Sequence, residues 1–231
     1  MIKYLLFDVD DTLLDFKKGE LFALQKTFFD HGVTLSDDMI IDYIKINELL
    51  WKKLETNEVT RLEVLKGRFK IFTTKYHLEY LQEFDLDEEY RSNLANHPFL
   101  IDGAIDLLLD LKDDYEIYLI TNGVKKTQVR RLSLTGIDRL VKDVFISEEI
   151  GYNKPSKEYF NLAFSHIPNF NPSEALIIGD SLTSDIKGAN NMGIKCVYFK
   201  HNDKDYSDYK IDYIIENLNE LYDVLRSEEN E

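Results

Sequence analysis

What most constrains this chain is a series of short apolar runs with one very uneven gap. The runs lie at Tyr4–Phe7, Ile117–Ile120, Val144–Ile146, Ala175–Ile178 and Lys195–Phe199, with a weaker one at Tyr213–Ile215. They lack the polar alternation of a half-solvated strand, which suits strands buried on both faces. From residue 100 onward helical patterns fall between them, around Ala104–Leu111, Thr127–Leu134, Lys157–Phe164 and Asp185–Asn191. Alternating strand and helix predicts an α/β fold, a Rossmann-like parallel sheet with helices on both faces.

The gap lies between the first two runs. More than a hundred residues separate them, although a parallel crossover needs only about a dozen. The excess carries no convincing strand and reads as four or five helices, including Leu21–Phe29, Met39–Leu54, Arg61–Phe72 and Asp87–Ala95. We therefore expect an inserted α-helical cap domain at 15–98, with 1–14 and 99–231 forming the α/β core. The flanking segments Asp15–Gly19 and His97–Phe99 are expected to act as hinges.

Composition narrows the function. A hydrophobic share of 44% in 231 residues excludes a disordered chain. The formal charge of −15 argues against nucleic-acid polymers and acidic membrane surfaces, which are held by clustered Lys and Arg. Residues 201–231 hold ten acids against three bases and read most simply as solvated surface. The single Cys196 allows no internal disulfide or Cys-based zinc site and reads as a packed thiol. The five histidines show no paired metal spacing. Acidic residues appear by position 8 and no run reaches the ~18 apolar residues of a membrane span, so a cytoplasmic protein is expected. The sequence sets no oligomeric state.

Ligands of open parallel sheets bind beyond the carboxyl ends of the strands. The first run is followed there by Asp8-Val9-Asp10-Asp11-Thr12, and the second by Thr121-Asn122-Gly123. The third leads to Gly151-Tyr152-Asn153-Lys154-Pro155, and the fourth to Gly179-Asp180-Ser181 with Asp185 close behind. Each piece alone has an ordinary explanation. Asp10, Asp11 and Thr12 suit a turn or helix cap, and Thr121-Asn122-Gly123 suits a strand-to-helix turn. Lys154-Pro155 suits a helix start with Pro at the first position and a solvated lysine, while Asp180 and Asp185 suit a cap and a helix-face charge. Together, four successive strand ends bring carboxylates, a hydroxyl and an ammonium to one crevice.

In this order, D-x-D-x-T, Thr, Lys-Pro and G-D-S-x-x-x-D resemble the haloacid dehalogenase-like superfamily, and the helical insert resembles its branch with a cap after the first strand. The resemblance implies that Asp8 is a nucleophile forming an aspartyl-phosphate and a metal ligand. Asp10 would be the general acid and then base, lending its backbone carbonyl to the metal. Thr121 and the N–H groups of Asn122 and Gly123 would hold phosphoryl oxygens, helped by the following helix N-terminus. Lys154 would neutralise charge, Asp180 would ligate the metal directly, and Asp185 would do so directly or through water. Asp11 would only stabilise the turn.

Charge explains the need for a cation. Two like unit charges ~4 Å apart cost about 4 kcal/mol at an effective dielectric of about 20, and a phosphate dianion doubles that. Mg²⁺, which takes one or two carboxylates and a phosphate oxygen, suits the Asp8, Asp180 and Asp185 cluster. Asp10 favours phosphate-ester chemistry, since a halide leaving group needs no proton. A phosphomutase would share it. Phospho-accepting receiver domains carry similar residue types but lack the large insert, and a catalytically dead binding protein would be expected to have lost a motif position.

Substrate class rests on a narrower resemblance. Asn47-Glu48-Leu49-Leu50-Trp51, Glu55, Val59-Thr60 and Arg68-Phe69 resemble the cap of bacterial pyrimidine-type 5′-nucleotidases. So do Ile146–Gly151 and the helix bearing Gln128, Arg131, Leu132 and Gly136. This implies a nucleoside monophosphate as the small phosphorylated metabolite, with a sugar-phosphate phosphatase or phosphomutase as the alternative. Trp51 and Phe69 are expected to pack in the cap core or, facing a cleft, to stack on a base. Arg61 and Arg68 could reach a substrate, but salt-bridged surface positions are the expectation for both.

Overall fold

The computed structural model describes residues 1–203 and 205–229. Six strands form one parallel sheet: β1 (Tyr4–Phe7), β2 (Glu116–Thr121), β3 (Asp143–Ile146), β4 (Ala175–Gly179), β5 (Lys195–Phe199) and β6 (Tyr213–Ile215). All six apolar runs are strands. Their order, β3-β2-β1-β4-β5-β6, is that of a doubly wound sheet, whose crevice opens where the winding reverses. That point lies between β1 and β4. The register sets Phe7 against both Leu119 and Ile178, so β1, β2 and β4 end at nearly the same level.

Successive strand residues face opposite sides of the sheet, and each side is covered. On one, Leu5, Phe7, Leu119, Leu176, Ile178 and Val197 pack with Leu107 and Leu108 of α5 (Ala104–Leu111) and Leu132 of α6 (Lys125–Thr135). On the other, Tyr4, Leu6, Ile120, Ile177 and Cys196 pack with Tyr159, Phe160 and Ala163 of α8 (Lys157–Ser165) and Ala189 of α9 (Lys187–Met192). A short α7 (Ser147–Ile150) follows β3. Truncating a buried Leu or Ile in either layer should cost about 2–5 kcal/mol.

The acidic tail holds the expected β6, but it is not only solvated surface: it adds α10 (Leu221–Glu229), and Ile215, Leu218, Leu221, Val224 and Leu225 join the core. A helical stripe of apolar residues is hidden there beneath a strongly acidic composition. Lys204, Asn230 and Glu231 of that tail lie outside the described residues.

The chain divides into two compact units, 1–16 with 99–231, and 17–98. The helices of the insert are α1 (Phe16–Asp30), α2 (Asp37–Glu55), α3 (Arg61–Lys75) and α4 (Leu86–Asn96), plus a single 3₁₀ turn at Glu79–Glu83. The polar stretch Asp15–Gly19 is thus mostly helical, because α1 already begins at Phe16. Ser36 caps α2 above Asp37 and Asp38, and Thr60 with Glu63 forms a reciprocal capping box on α3. Phe28, Tyr43, Phe69, Phe72 and Tyr90 form an aromatic core, with neighbouring centroids such as Tyr43–Phe69 5.3 Å apart.

Arg68 corrects an expectation. It is salt-bridged but buried, donating to Asp87 at 2.6 Å and to Asn47 at 3.1 Å, while Asn47 donates to buried Glu20 at 2.7 Å. The guanidinium can be buried because a carboxylate and an amide meet it inside the unit. Among the described residues no helix is long and apolar enough to cross a membrane.

Candidate active site

The turn after β1 is closed by its own backbone. Val9 C=O accepts from Leu13 and Leu14 N–H at 3.0 and 2.9 Å, and Asp11 N–H donates to Leu14 C=O at 2.7 Å. Asp11 takes a φ of +57°, a left-handed conformation that Asp tolerates better than most residues. It is a turn residue, as expected.

Beyond that turn three carboxylates converge. Asp8, Asp180 and Asp185 each offer an oxygen within 4.8 Å of the others, at the reversal point between β1 and β4. Lys154 binds two of them. Its Nζ donates to Asp8 Oδ1 at 2.6 Å, Asp185 Oδ1 at 2.6 Å and Ile120 C=O at 2.9 Å, which uses all three ammonium N–H bonds. The side chain is 1% exposed, so the solvated-lysine explanation fails: its solvent has been replaced by carboxylates 146 and 31 residues away.

The loop carrying Lys154 is pinned by Asn122, whose Nδ2 donates to Lys154 C=O at 3.0 Å and whose Oδ1 accepts from Lys154 N–H at 2.9 Å. Lys154-Pro155 is cis. The helix does not begin at Pro155. It begins at Lys157, capped by the Ser156 hydroxyl, because a side-chain acceptor is present one residue further on.

Asp185 lies in a single π-helical turn, Leu182–Ile186, leading into α9; such turns often occur at functional sites. Its Oδ2 accepts from Ser181 N–H at 3.1 Å. A Cβ on Gly179 would sit 2.4 Å from that oxygen, so Gly179 is where the Asp185 carboxylate fits.

Burial pushes the Asp8 carboxyl up to about 8, opposed by Lys154 and reinforced by Asp185 and Asp10. Burial works against the Lys154 ammonium as well, but Asp185 and Asp8 more than offset it and hold its pKa well above the ordinary range. Three carboxylates face one ammonium here. Three hard oxygen donors within 4.8 Å of one another fit a divalent cation such as Mg²⁺, and no histidine belongs to the cluster among the described residues.

Asp10 is held separately. Its Oδ1 accepts from Arg131 Nη1 and its Oδ2 from Gln128 Nε2 at 2.8 Å. Gln128 Nε2 also donates to Thr121 Oγ1 at 2.8 Å, as does Gly123 N–H at 3.0 Å. The sequence alone gives Gln128 and Arg131 no role. The available signal was their helical spacing just beyond a glycine that leaves room for a side chain. At the start of α6, Lys125 N–H already donates to Glu148 at 2.7 Å, so one helix-terminal donor expected to face phosphate is engaged elsewhere.

Other candidates settle as packing. Phe69 is in the core of the helical insert, and the Arg61 guanidinium carbon lies 5.7 Å from the half-buried Trp51 ring. Cys196 is buried, and burial pushes its thiol up to about 11, away from reactivity.

A sequence profile described as haloacid dehalogenase-like hydrolase matches residues 2–193. The HAD-hydrolase YfnB of Bacillus subtilis (strain 168) is 42% identical over 97% of this chain and 95% of its own. Its magnesium-bound orthorhombic crystal structure, reported to reveal interdomain movement, matches with a TM-score of 0.90 over 97% of this chain and 99% of that one. The pyrimidine 5′-nucleotidase PynA of Streptococcus pneumoniae (strain ATCC BAA-255 / R6) is 34% identical over 96% of this chain and 94% of its own. The glyceraldehyde 3-phosphate phosphatase of Pyrococcus furiosus (strain ATCC 43587 / DSM 3638 / JCM 8422 / Vc1) is 33% identical over 98% and 94%.

Proposed function

The chain belongs to the haloacid dehalogenase-like hydrolases, and from that premise we propose that it is a Mg²⁺-dependent phosphatase of nucleoside 5′-monophosphates. The observation that carries the phosphatase reading is a division of labour between two carboxylates. Asp8 is buried with Lys154 in the metal-competent cluster, while Asp10 stands outside it, 28% exposed at its side chain, on Gln128 and Arg131. One carboxylate suits attack on phosphorus, the other proton transfer.

Asp8 Oδ attacks phosphorus as the ester P–O bond breaks, and Asp10 gives its proton to the leaving oxygen. A water then attacks the aspartyl-phosphate, Asp10 takes the water's proton, and the bond to Asp8 breaks to release phosphate. Asp8, Asp180, Asp185 and the Asp10 carbonyl would hold Mg²⁺, which supplies positive charge against the phosphoryl oxygens. Thr121 and the N–H of Asn122 bind those oxygens, joined by the N–H of Gly123 when it turns from the Thr121 hydroxyl that it meets at 3.0 Å. Lys154 keeps the Asp8 carboxylate in place and cancels part of its charge.

The nucleotide assignment is supported by the end-to-end match with PynA. A sugar-phosphate substrate is the second reading, favoured by the comparably complete match with the archaeal triose-phosphate phosphatase. Phosphate release from a panel of nucleoside monophosphates and sugar phosphates, with Mg²⁺, separates them. Asp8→Asn and EDTA should each abolish release; retained activity in purified Asp8→Asn would sink the mechanism. Isomerised sugar phosphate without net phosphate release would point to a mutase.

A further inference from the structure

Helix α6 reaches the Asp10 carboxylate with two side chains. Gln128 and Arg131 are three residues apart, a spacing that sets them side by side on one helix face. Both are buried within the core unit. Arg131 Nη1 donates to Asp10 Oδ1 and also to Gln128 Oε1 at 3.0 Å. That leaves Gln128 Nε2 to donate in two directions, to Asp10 Oδ2 and Thr121 Oγ1, each at 2.8 Å. The amide orientation follows from the network, because only this one places its acceptor on Arg131 and its donors on two acceptors.

Two further observations make this arrangement more than packing. A Cβ on Gly123 would lie 2.4 Å from Gln128 Nε2, so the phosphate-loop glycine makes room for this amide. Arg131 is buried with Nε and Nη2 meeting no hydrogen-bond acceptor among the described residues, and its guanidinium carbon lies 5.9 Å from the Phe16 ring. Such a guanidinium is costly to bury, and among the described residues the carboxylate it pairs with is Asp10. An apolar residue would fill the same space at lower cost.

Resting on the phosphatase reading, we propose that Gln128 and Arg131 are positioning residues for the acid/base step. Thr121 holds the phosphoryl end of the breaking P–O bond and Asp10 serves its leaving-group end. Gln128 spans the two, and Arg131 fixes the far Asp10 oxygen and the Gln128 amide together. The pair therefore sets the distance between the phosphoryl site and the proton donor. Losing it affects the chemistry only to the extent that the leaving oxygen needs a proton.

That dependence is measurable with p-nitrophenyl phosphate and phenyl phosphate, which have similar shapes but leaving groups of different basicity. Arg131→Met and Gln128→Met should lower kcat for phenyl phosphate by about 10²-fold or more, with a much smaller loss on p-nitrophenyl phosphate and little change in KM. Asp10→Asn sets the full size of this bias. Arg131→Lys, which keeps one donor, should restore part of it. Because both rates come from one preparation, their ratio does not depend on the fraction of folded enzyme. Equal losses on both esters in both Met variants, or no loss in either, overturn the proposal. So does full multiplication of the Arg131→Met and Asp10→Asn losses, which would mean independent action. If the wild type releases phosphate from neither ester, the phosphatase reading itself fails and this inference falls with it.

Discussion

Metal binding at this site should exchange a proton for a cation. In the metal-free protein, burial holds the Asp8 carboxyl up at about 8, whereas an unfolded aspartate titrates near about 3.9. The contribution of Asp8 to stability is therefore complete below about pH 4 and is lost progressively as pH rises to about 8, because the native state holds a proton that the unfolded chain has released. A ligating carboxylate must be ionised, so Mg²⁺ has to displace that proton. At about pH 6 only about 1% of Asp8 is ionised, so apparent Mg²⁺ affinity should rise about a hundredfold by about pH 9 and level off beyond. That factor is worth about 3 kcal/mol at a fixed Mg²⁺ concentration well above the dissociation constant. For a chain of this size it amounts to about 5–10 °C of additional melting-temperature increase at the higher pH. Thermal melts with and without MgCl₂ at constant ionic strength measure the shift. Titration calorimetry in buffers of differing ionisation enthalpy counts the protons, and about one should be released per Mg²⁺ near about pH 6.5. Affinity independent of pH, or binding with no proton release, would refute the reasoning.

Two further predictions follow from groups that make room for, or neutralise, a buried partner. Gly179→Ala pushes a Cβ to 2.4 Å from the Asp185 carboxylate and should weaken Mg²⁺ activation by about tenfold or more; an unchanged Mg²⁺ dependence in the folded variant contradicts it. Asp87→Ala leaves the buried Arg68 guanidinium without the carboxylate it meets at 2.6 Å and should destabilise the insert by about 3–5 kcal/mol. Trp51 is the only tryptophan of the chain and lies in that unit, so its fluorescence in a urea titration reports the change, and an unmoved midpoint counts against the assignment.

The strands were legible because burial on both sheet faces leaves continuous apolar runs, and the strand-end carboxylates because the topology says where ligands bind. Charges neutralised across long distances were not legible. Arg131 reads locally as one more base in a polar helix, and nothing nearby points to Asp10, 121 residues earlier. Lys154 before a proline has the look of a solvated loop, since both of its carboxylates are remote. Arg68 looked like a surface residue for the same reason. In the tail, ten acids concealed the spacing of Leu218, Leu221, Val224 and Leu225, a stripe that joins the core on one face of the sheet.

The central position of β1 has a consequence for the birth of the molecule. β1 leaves the ribosome well before its two partners, which end at Thr121 and Gly179. At about 5–20 residues per second, roughly ten to thirty seconds pass before its second edge can be closed. Through that interval an apolar strand with an open edge is available to other nascent chains. The helical insert emerges in the meantime and carries its own aromatic core, so it can fold first and leave the sheet to close late. Translation pauses before residue 179 should therefore prolong the period of greatest aggregation risk, and a holdase that binds β1 would act where protection is needed most.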